Sequence, residues 1–271
     1  MDLRPGRKTG REVGHLTPGS LYVERAIQVY RDGKLGTQCD PLVIETQLKV
    51  YLNGKELARL ACSPINLPEL AVGFLSSEGF ISCTGLPPAV ELREDCQVWV
   101  NTAQLAEPHP VESGCFVNTA SGRGYQPVTC LPPLETTAAF TAGHLVQLID
   151  KLNRTSHTFQ KTGGVHSAGL GAQDSLLVRF EDIGRHNAVD KVFGHAILNR
   201  IPLHDKCLVL SGRIAAEILL KAARNQVPLV LSRSAPTLRA VELAEQLGIT
   251  VVGFARGERF NLYTHPEKIV P

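Results

Sequence analysis

Between Leu176 and Phe254 the chain alternates short apolar runs with segments of helical period. No other feature constrains the fold as much. Leu176–Phe180, Cys207–Leu210, Leu229–Ser232 and Ile249–Phe254 have the length and apolar content of buried strands. Val189, Val192, Phe193, Ala196 and Ile197 form one helical face between the first two runs. Ile214–Arg224 and Leu238–Leu247 fill the next two gaps, the second stopped by Gly248. Such a strand–helix series buries its apolar runs in a sheet with helices packed on its faces. Upstream, Leu145, Leu148, Ile149 and Leu152 make one more helical face.

The first half reads differently. Tyr22–Tyr30, Leu42–Leu52 and Gln97–Val100 are expected strands, and Asn53-Gly54 is a hairpin signal because both residues tolerate positive φ. Leu67, Leu70, Ala71, Phe74 and Leu75 share a helical face, with Pro68 in the first turn and Gly79 past the end. Residues 101–133 hold five prolines and no apolar period, which predicts a long loop, here carrying Cys115 and Cys130. The expected organisation is a basic, solvated arm over 1–20, a β-rich α+β part over 21–133 that includes the mobile loop 101–133, and an α/β domain over 134–271.

Charge and cysteine counts exclude several classes. With 28 Lys+Arg against 26 Asp+Glu, the chain does not read as one that coats nucleic acid. No apolar run approaches the roughly 20 residues of a membrane helix, and no secretory signal pattern opens the chain. Seven cysteines, an odd number with no C-x-x-C pair, argue against a disulfide framework and against zinc, and fit a reducing cytoplasm. No P-loop or dinucleotide fingerprint occurs.

The polar signals of the second half fall where strands end and helices begin. Ser211-Gly212-Arg213, Ser232-Arg233-Ser234-Ala235-Pro236-Thr237 and Phe254-Ala255-Arg256-Gly257-Glu258-Arg259 follow three successive strands. Ligands of open α/β sheets sit outside the carboxyl ends of the strands, and helix N-termini there favour anions. Arg213, Arg233, Arg256 and Arg259 would add charge-assisted bonds. The plainer reading of any single turn is helix capping by Ser211 or Thr237. Two further clusters carry chemistry-bearing residues: Lys161–Ala168, with His166, and Glu181–Asn187, with Arg185 and His186. Each can equally be structural, a hydrogen-bonded histidine in one case and a capped helix start in the other. Cys115 follows Ser113-Gly114, and for an isolated thiol an inert role is the simpler reading.

Taken together these motifs resemble the FdhD family of formate dehydrogenase accessory sulfurtransferases. The resemblance rests on Ala61-Cys62-Ser63-Pro64, Leu67–Gly79, Thr162–Ala168, Glu181–Lys191, Ser211-Gly212-Arg213, Ser232–Thr237 and Gly253–Gly257, in that order. It implies a cytidine-deaminase-like, three-layer α/β fold for the C-terminal half. It implies a sulfur carrier that takes persulfide sulfur from a cysteine desulfurase. The acceptor would be the molybdenum or tungsten bis(molybdopterin guanine dinucleotide) cofactor that formate dehydrogenase needs for activity. The loop cysteine matching Cys115 would carry the persulfide and Phe254–Arg259 would bind the cofactor. His166, Arg185, His186, Arg213, Ser232 and Arg233 would support it. Members are cytoplasmic and tend to be dimers.

This sequence departs from the family pattern at one point. The family carries C-x-x-C in the loop, whereas here the segment is Cys115-Phe116-Val117-Asn118, leaving Cys130 as a substitute second thiol. Two alternatives stay open: a chaperone that binds the cofactor without sulfur transfer, and a zinc deaminase-like enzyme on the same scaffold. The latter chemistry needs H-x-E and P-C-x-x-C, but His166 is followed by Ser167 and Ala168.

Overall fold

The computed structural model describes residues 20–106 and 131–271. The basic arm, except Ser20, and most of the 101–133 loop with Cys115 and Cys130 lie outside the described residues.

The chain opens with β1 (Tyr22–Arg31) and β2 (Lys34–Val43), an antiparallel ribbon turning at Asp32-Gly33, whose φ angles are 52° and 79°. The single strand expected over Leu42–Leu52 is in fact two. The amide of Ile44 bonds the carbonyl of Leu21 at 2.9 Å and closes the ribbon. After Ile44-Glu45 the chain starts β3 (Thr46–Leu52) in a different sheet. The Asp-Gly turn is the signal that would have revealed β2. The Asn53-Gly54 hairpin forms as expected, with φ of 46° and 86°, and leads into β4 (Lys55–Cys62). Then come α1 (Leu67–Ser77), β5 (Ala89–Arg93) and β6 (Gln97–Asn101). The four strands order β4-β3-β6-β5. One face buries Leu48, Val50, Ala58, Leu60, Val98 and Val100 against Leu70, Ala71, Phe74 and Leu75 of α1. The alternation of side chains along a strand puts Tyr51 and Trp99 on the opposite face, stacked 4.3 Å apart.

The second half follows with β7 (Phe140–Thr141), α2 (Ala142–Thr155), α3 (His157–Thr162), β8 (His166–Ala172), β9 (Ser175–Asp182) and α4 (Arg185–Leu198). β10 (Cys207–Leu210), α5 (Ala216–Arg224), β11 (Leu229–Ser232), α6 (Leu238–Leu247), β12 (Thr250–Arg256), β13 (Arg259–Leu262) and β14 (Ile269–Val270) complete it. Six strands form one sheet in the order β13-β12-β11-β10-β8-β9. β10, β11 and β12 run parallel, while β8 and β13 are antiparallel to their neighbours. The strands and helices expected between Leu176 and Phe254 are all present.

β8 was not expected as a strand, because its glycines weaken strand propensity. Those glycines have a packing reason. A Cβ at Gly171 would lie 2.6 Å from Leu148 Cδ1, and one at Gly169 would lie 2.7 Å from Leu176 Cδ1. The missing Cβ at Gly171 lets α2 sit close to the sheet, and the one at Gly169 makes room for Leu176 of β9. Leu145, Leu148, Ile149 and Leu152 of α2 cover Cys207, Val209, Leu229, Leu231 and Val252. Leu208, Leu210, Val230 and Val251 face the other way, into α4, α5 and α6. The sheet is therefore the middle of three layers, which explains why β10 and β11 are buried along their whole length rather than alternating.

The two halves join where α1 crosses α4. A Cβ on Gly73 would stand 1.7 Å from the Asp190 carbonyl oxygen, and one on Gly194 1.8 Å from that of Glu69. Beside the crossing, Lys221 Nζ donates to both Asp190 oxygens at 2.9 and 2.8 Å and to Glu78 at 3.2 Å. Burial pulls this ammonium down, but Asp190 and Glu78 outweigh it and hold Lys221 above its ordinary value.

Candidate functional site

Register alone brings the polar motifs together. β10, β11 and β12 run parallel, so Ser211, Arg233 and Arg256 emerge at the same edge of the sheet. β8 is antiparallel to β10, with Ala168 opposite Leu210, so its first residues, His166 and Ser167, lie at that edge too. β9 pairs His166 with Asp182 and delivers the start of α4, with Arg185 and His186, to the same place. Apart from Ala255, whose side chain faces the core, the candidate site residues within the described segments gather here.

Short hydrogen bonds lock the turns. Ser211 N donates to Ser167 O at 3.0 Å, and Ser167 N to Ser211 Oγ at 2.9 Å. Ser211 is thus a strand-to-strand clamp rather than a helix cap. Thr237 does cap α6, accepting from Ala240 N at 3.2 Å. Ser232 is buried; its hydroxyl donates to Gly212 O at 2.7 Å and accepts from Ser234 N at 2.9 Å. Arg256 Nε reaches Arg233 O at 3.4 Å. A Cβ at Gly212 would lie 3.4 Å from His166 Nδ1 and 3.8 Å from Arg185 Cβ, so the turn packs directly on both.

Arg59, Arg93, Arg154, Arg179 and Arg239 each pair with a carboxylate. No described carboxylate pairs with Arg185, Arg213, Arg233, Arg256 or Arg259. Five guanidinium groups without counterions on one edge suit an anion. Phe254 lies among them with φ of 52° and is 41% exposed. It is not a buried strand-end core residue; a shift in the β12–β13 register between Gly253 and Arg256 sets it outward. Gly257, at φ 55°, makes the turn that pairs Arg256 with Arg259, and Glu258 is exposed on it. Ala255 differs from its neighbours: it is fully buried in the core under α2, so its side chain faces away from the edge.

Two buried carboxylates support this edge. Asp182 accepts from the amides of Ser63 and Gly184 and from Asn187 Nδ2, and pairs with the wholly buried Lys191 at 2.7 Å. It thereby ties the Ala61–Pro64 segment to the start of α4. Glu181 accepts from the amides of Thr158 and Phe159 and pairs with Arg179 at 3.0 Å. Sequence reasoning missed Glu217, in the first turn of α5, whose Oε2 lies 3.2 Å from His186 Nε2. Nothing local marks it, since the two residues meet only through the packing of α5 on α4.

Among the described cysteines, burial holds Cys62 up to about 12, with Asp182 adding to the shift, and raises Cys83 and Cys207 as well. These are poor nucleophiles. No group of three or more His, Cys, Asp or Glu among the described residues is placed to hold a metal ion. No described helix is long and apolar enough to cross a membrane.

A family model described as FdhD/NarQ matches residues 43–270, which takes in the four-stranded and six-stranded sheets and the whole of this edge. The chain belongs to the FdhD/NarQ family. It is 40% identical over 259 residues to the sulfur carrier protein FdhD of Bacillus pumilus (strain SAFR-032), covering 92% of this chain and 98% of that one. It is 38% identical over 255 residues to that of Bacillus subtilis (strain 168), covering 90% and 96%. The crystal structure of a formate dehydrogenase accessory protein from Desulfotalea psychrophila superposes with a TM-score of 0.77 at 26% identity, covering 93% of this chain and all of that one.

In this FdhD/NarQ family member both edge histidines are held below their ordinary value. Burial depresses His186 to about 3, helped by Lys221 and Arg185; burial and then Arg185 and Arg213 lower His166, against Asp182. Between 6.5 and about 3 the unfolded chain therefore binds more protons than the folded one, so stability falls as pH falls through that window. We expect the urea midpoint to drop between about pH 7 and pH 5, and to drop less in His186→Gln. An equal drop in the variant would show that His186 does not contribute.

Proposed function

We propose that the chain is a sulfur carrier serving formate dehydrogenase. It accepts persulfide sulfur from a cysteine desulfurase on Cys115. It passes that sulfur to the molybdenum or tungsten bis(molybdopterin guanine dinucleotide) cofactor, which is its substrate. The observation that carries this reading is the edge with five arginines lacking counterions and an outward Phe254, in a chain whose relatives are named sulfur carriers. The arginines suit the phosphates of a guanine dinucleotide, and Phe254 offers a face for its base. The three-layer half is the part for which we propose the cytidine-deaminase-like fold. A cytoplasmic setting and a homodimer complete the proposal.

In the loading step the Cys115 thiolate attacks the terminal sulfur of the donor persulfide, and the donor cysteine leaves as a thiolate. Release of sulfide needs a second thiol to attack the Cys115 sulfur and close a disulfide. Asn118 cannot do this, and Cys130 is the thiol in the same loop that can. The test is a mass spectrum after incubation with desulfurase and cysteine, together with sulfur transfer to the cofactor. We expect an adduct of about 32 Da on Cys115, lost in Cys115→Ala. In Cys130→Ala loading should persist and release should fail. Full transfer by Cys115→Ala would overturn the assignment. Asn118 also favours a second reading, a cofactor chaperone without sulfur transfer; it predicts guanine-nucleotide binding with no adduct on any cysteine.

A further inference from the structure

The ribbon of β1 and β2 projects from the rest of the chain. Its base is held on α3 and the turn after it. Lys161 Nζ donates to Tyr22 Oη at 2.8 Å and lies 3.3 Å from Glu24 Oε1, and a Cβ at Gly164 would lie 3.0 Å from the Val43 methyls. Residues 25–39 are exposed apart from the half-buried Ile27 and Val29. Near the tip Tyr30 and Leu35, partners across the ribbon, are 72% and 71% exposed. Two strands with so little packed on them are marginal in water. Among the described residues β1 pairs with β2 alone, so its outer edge of backbone N–H and C=O groups is open. Monomeric proteins blunt such edges with Pro, bulges or shortness. β2 carries Gly36 and Pro41, but β1 is ten residues long, has neither Gly nor Pro, and pairs with β2 without a bulge.

Charge narrows the choice of occupant. Between Glu24 and Asp40, the basic Arg25, Arg31 and Lys34 balance the acidic Glu24, Asp32 and Asp40. A balanced ribbon has no pull on nucleic acid or an anionic membrane. A second β1 fits. A two-fold axis perpendicular to the ribbon lays the strand antiparallel on its own copy and sets residues of the same face opposite each other. Like charges directly opposite are destabilising. An axis at Glu24 or Arg25 would oppose that residue to itself, and one at Gln28 would oppose Arg25 to Arg31. An axis at Ile27 sets Val23 against Arg31. An axis at Ala26 instead pairs Tyr22 with Tyr30 and Val23 with Val29, an aromatic and a β-branched pair of the kind that stabilises sheets.

We propose that β1 is the dimer interface of this chain, paired antiparallel with β1 of a second copy about an axis at Ala26. The two ribbons become one four-stranded sheet in the order β2-β1-β1-β2, and both open β1 edges are closed. The inference rests on the homodimer reading above and deepens it by naming the surface.

The experiment measures the mass of the full chain by light scattering across a dilution series, for wild type, Ile27→Lys and Ile27→Glu. In the pairing, residue 27 lies opposite Arg25 of the second copy, twice by symmetry. Wild type should have twice the chain mass. Ile27→Lys should raise the dimer dissociation constant about tenfold. Ile27→Glu should dimerise about tenfold or more tightly than Ile27→Lys, and the gap should shrink in about 1 M salt. Far-ultraviolet circular dichroism should be the same for all three, because residue 27 lies outside the cores. A wild-type monomer would overturn both this inference and the homodimer reading, and would leave the edge to residues 1–19 or to another protein. A dimer indifferent to both substitutions would overturn the β1 interface and leave the homodimer standing. Equal weakening by Lys and Glu would overturn the pairing about Ala26.

Discussion

Asp182→Ala is expected to destabilise the protein by about 3–5 kcal/mol, the usual cost of removing one partner of a buried ion pair. Asp182 and Lys191 have no exposed side-chain surface and meet at 2.7 Å. Without the carboxylate, Lys191 keeps only the Glu181 carbonyl at 3.5 Å. The amides of Ser63 and Gly184 lose an acceptor, and Asn187 keeps only the Ala61 carbonyl. Each unsatisfied buried donor adds to the loss. The check is urea unfolding followed by far-ultraviolet circular dichroism, in a cycle with Lys191→Met. The double variant should lose much less than the sum of the singles, because it removes the stranded charge. A single-variant loss under about 1 kcal/mol with an additive double would mean that the pair does not hold α4 in place. The consequence for the site follows directly: Asp182 fixes the Gly184 amide from which α4 starts, so Arg185 and His186 would lose their positions.

Gly194→Ala tests the join between the two halves and has a clean sign. Helix propensity alone favours the substitution by about 1 kcal/mol. Packing opposes it, since the new Cβ would stand 1.8 Å from the Glu69 carbonyl oxygen, a backbone atom that cannot rotate away. The helices must separate, and overpacking of this kind costs about 3 kcal/mol or more. Packing therefore wins. Separation would also pull Glu78 from Lys221 and Ser76 from Asn225. Gly143→Ala in α2 is the control, because a Cβ there meets nothing within 4 Å; it should be neutral or slightly stabilising. Equal midpoints for Gly194→Ala and wild type would show that α1 and α4 tolerate a wider crossing.

The elements of the second half were legible because their apolar periods are long and their ends are punctuated. Leu238–Leu247 has a Thr cap and a Gly stop, and it forms with those bounds. β8 was not legible, because Gly171 is set by the approach of α2 and Gly169 by the crowding of Leu176 and Val178 on β9, not by strand propensity. The break at Ile44-Glu45 was hidden for a related reason: residues on both sides suit a strand, and only pairing partners decide where one sheet ends and the next begins. At the site, Arg213, Arg233 and Arg256 could be read from their positions after strands. Glu217 could not, and Ala255 was grouped with neighbours from which it points away.

Taken alone, the amino-acid sequence determined the fold class, the order of strands and helices from Leu176 onward, and the turns where charge would collect. These depend on short-range patterns of period and capping. The tertiary structure alone decided that β8 inserts antiparallel beside β10, which brings His166 to the same edge as Arg185 and Gly212. It also decided that Arg185 and Glu217 converge on one nitrogen of a buried ring. Such encounters depend on register and helix packing between residues far apart in the chain, and no local pattern encodes them.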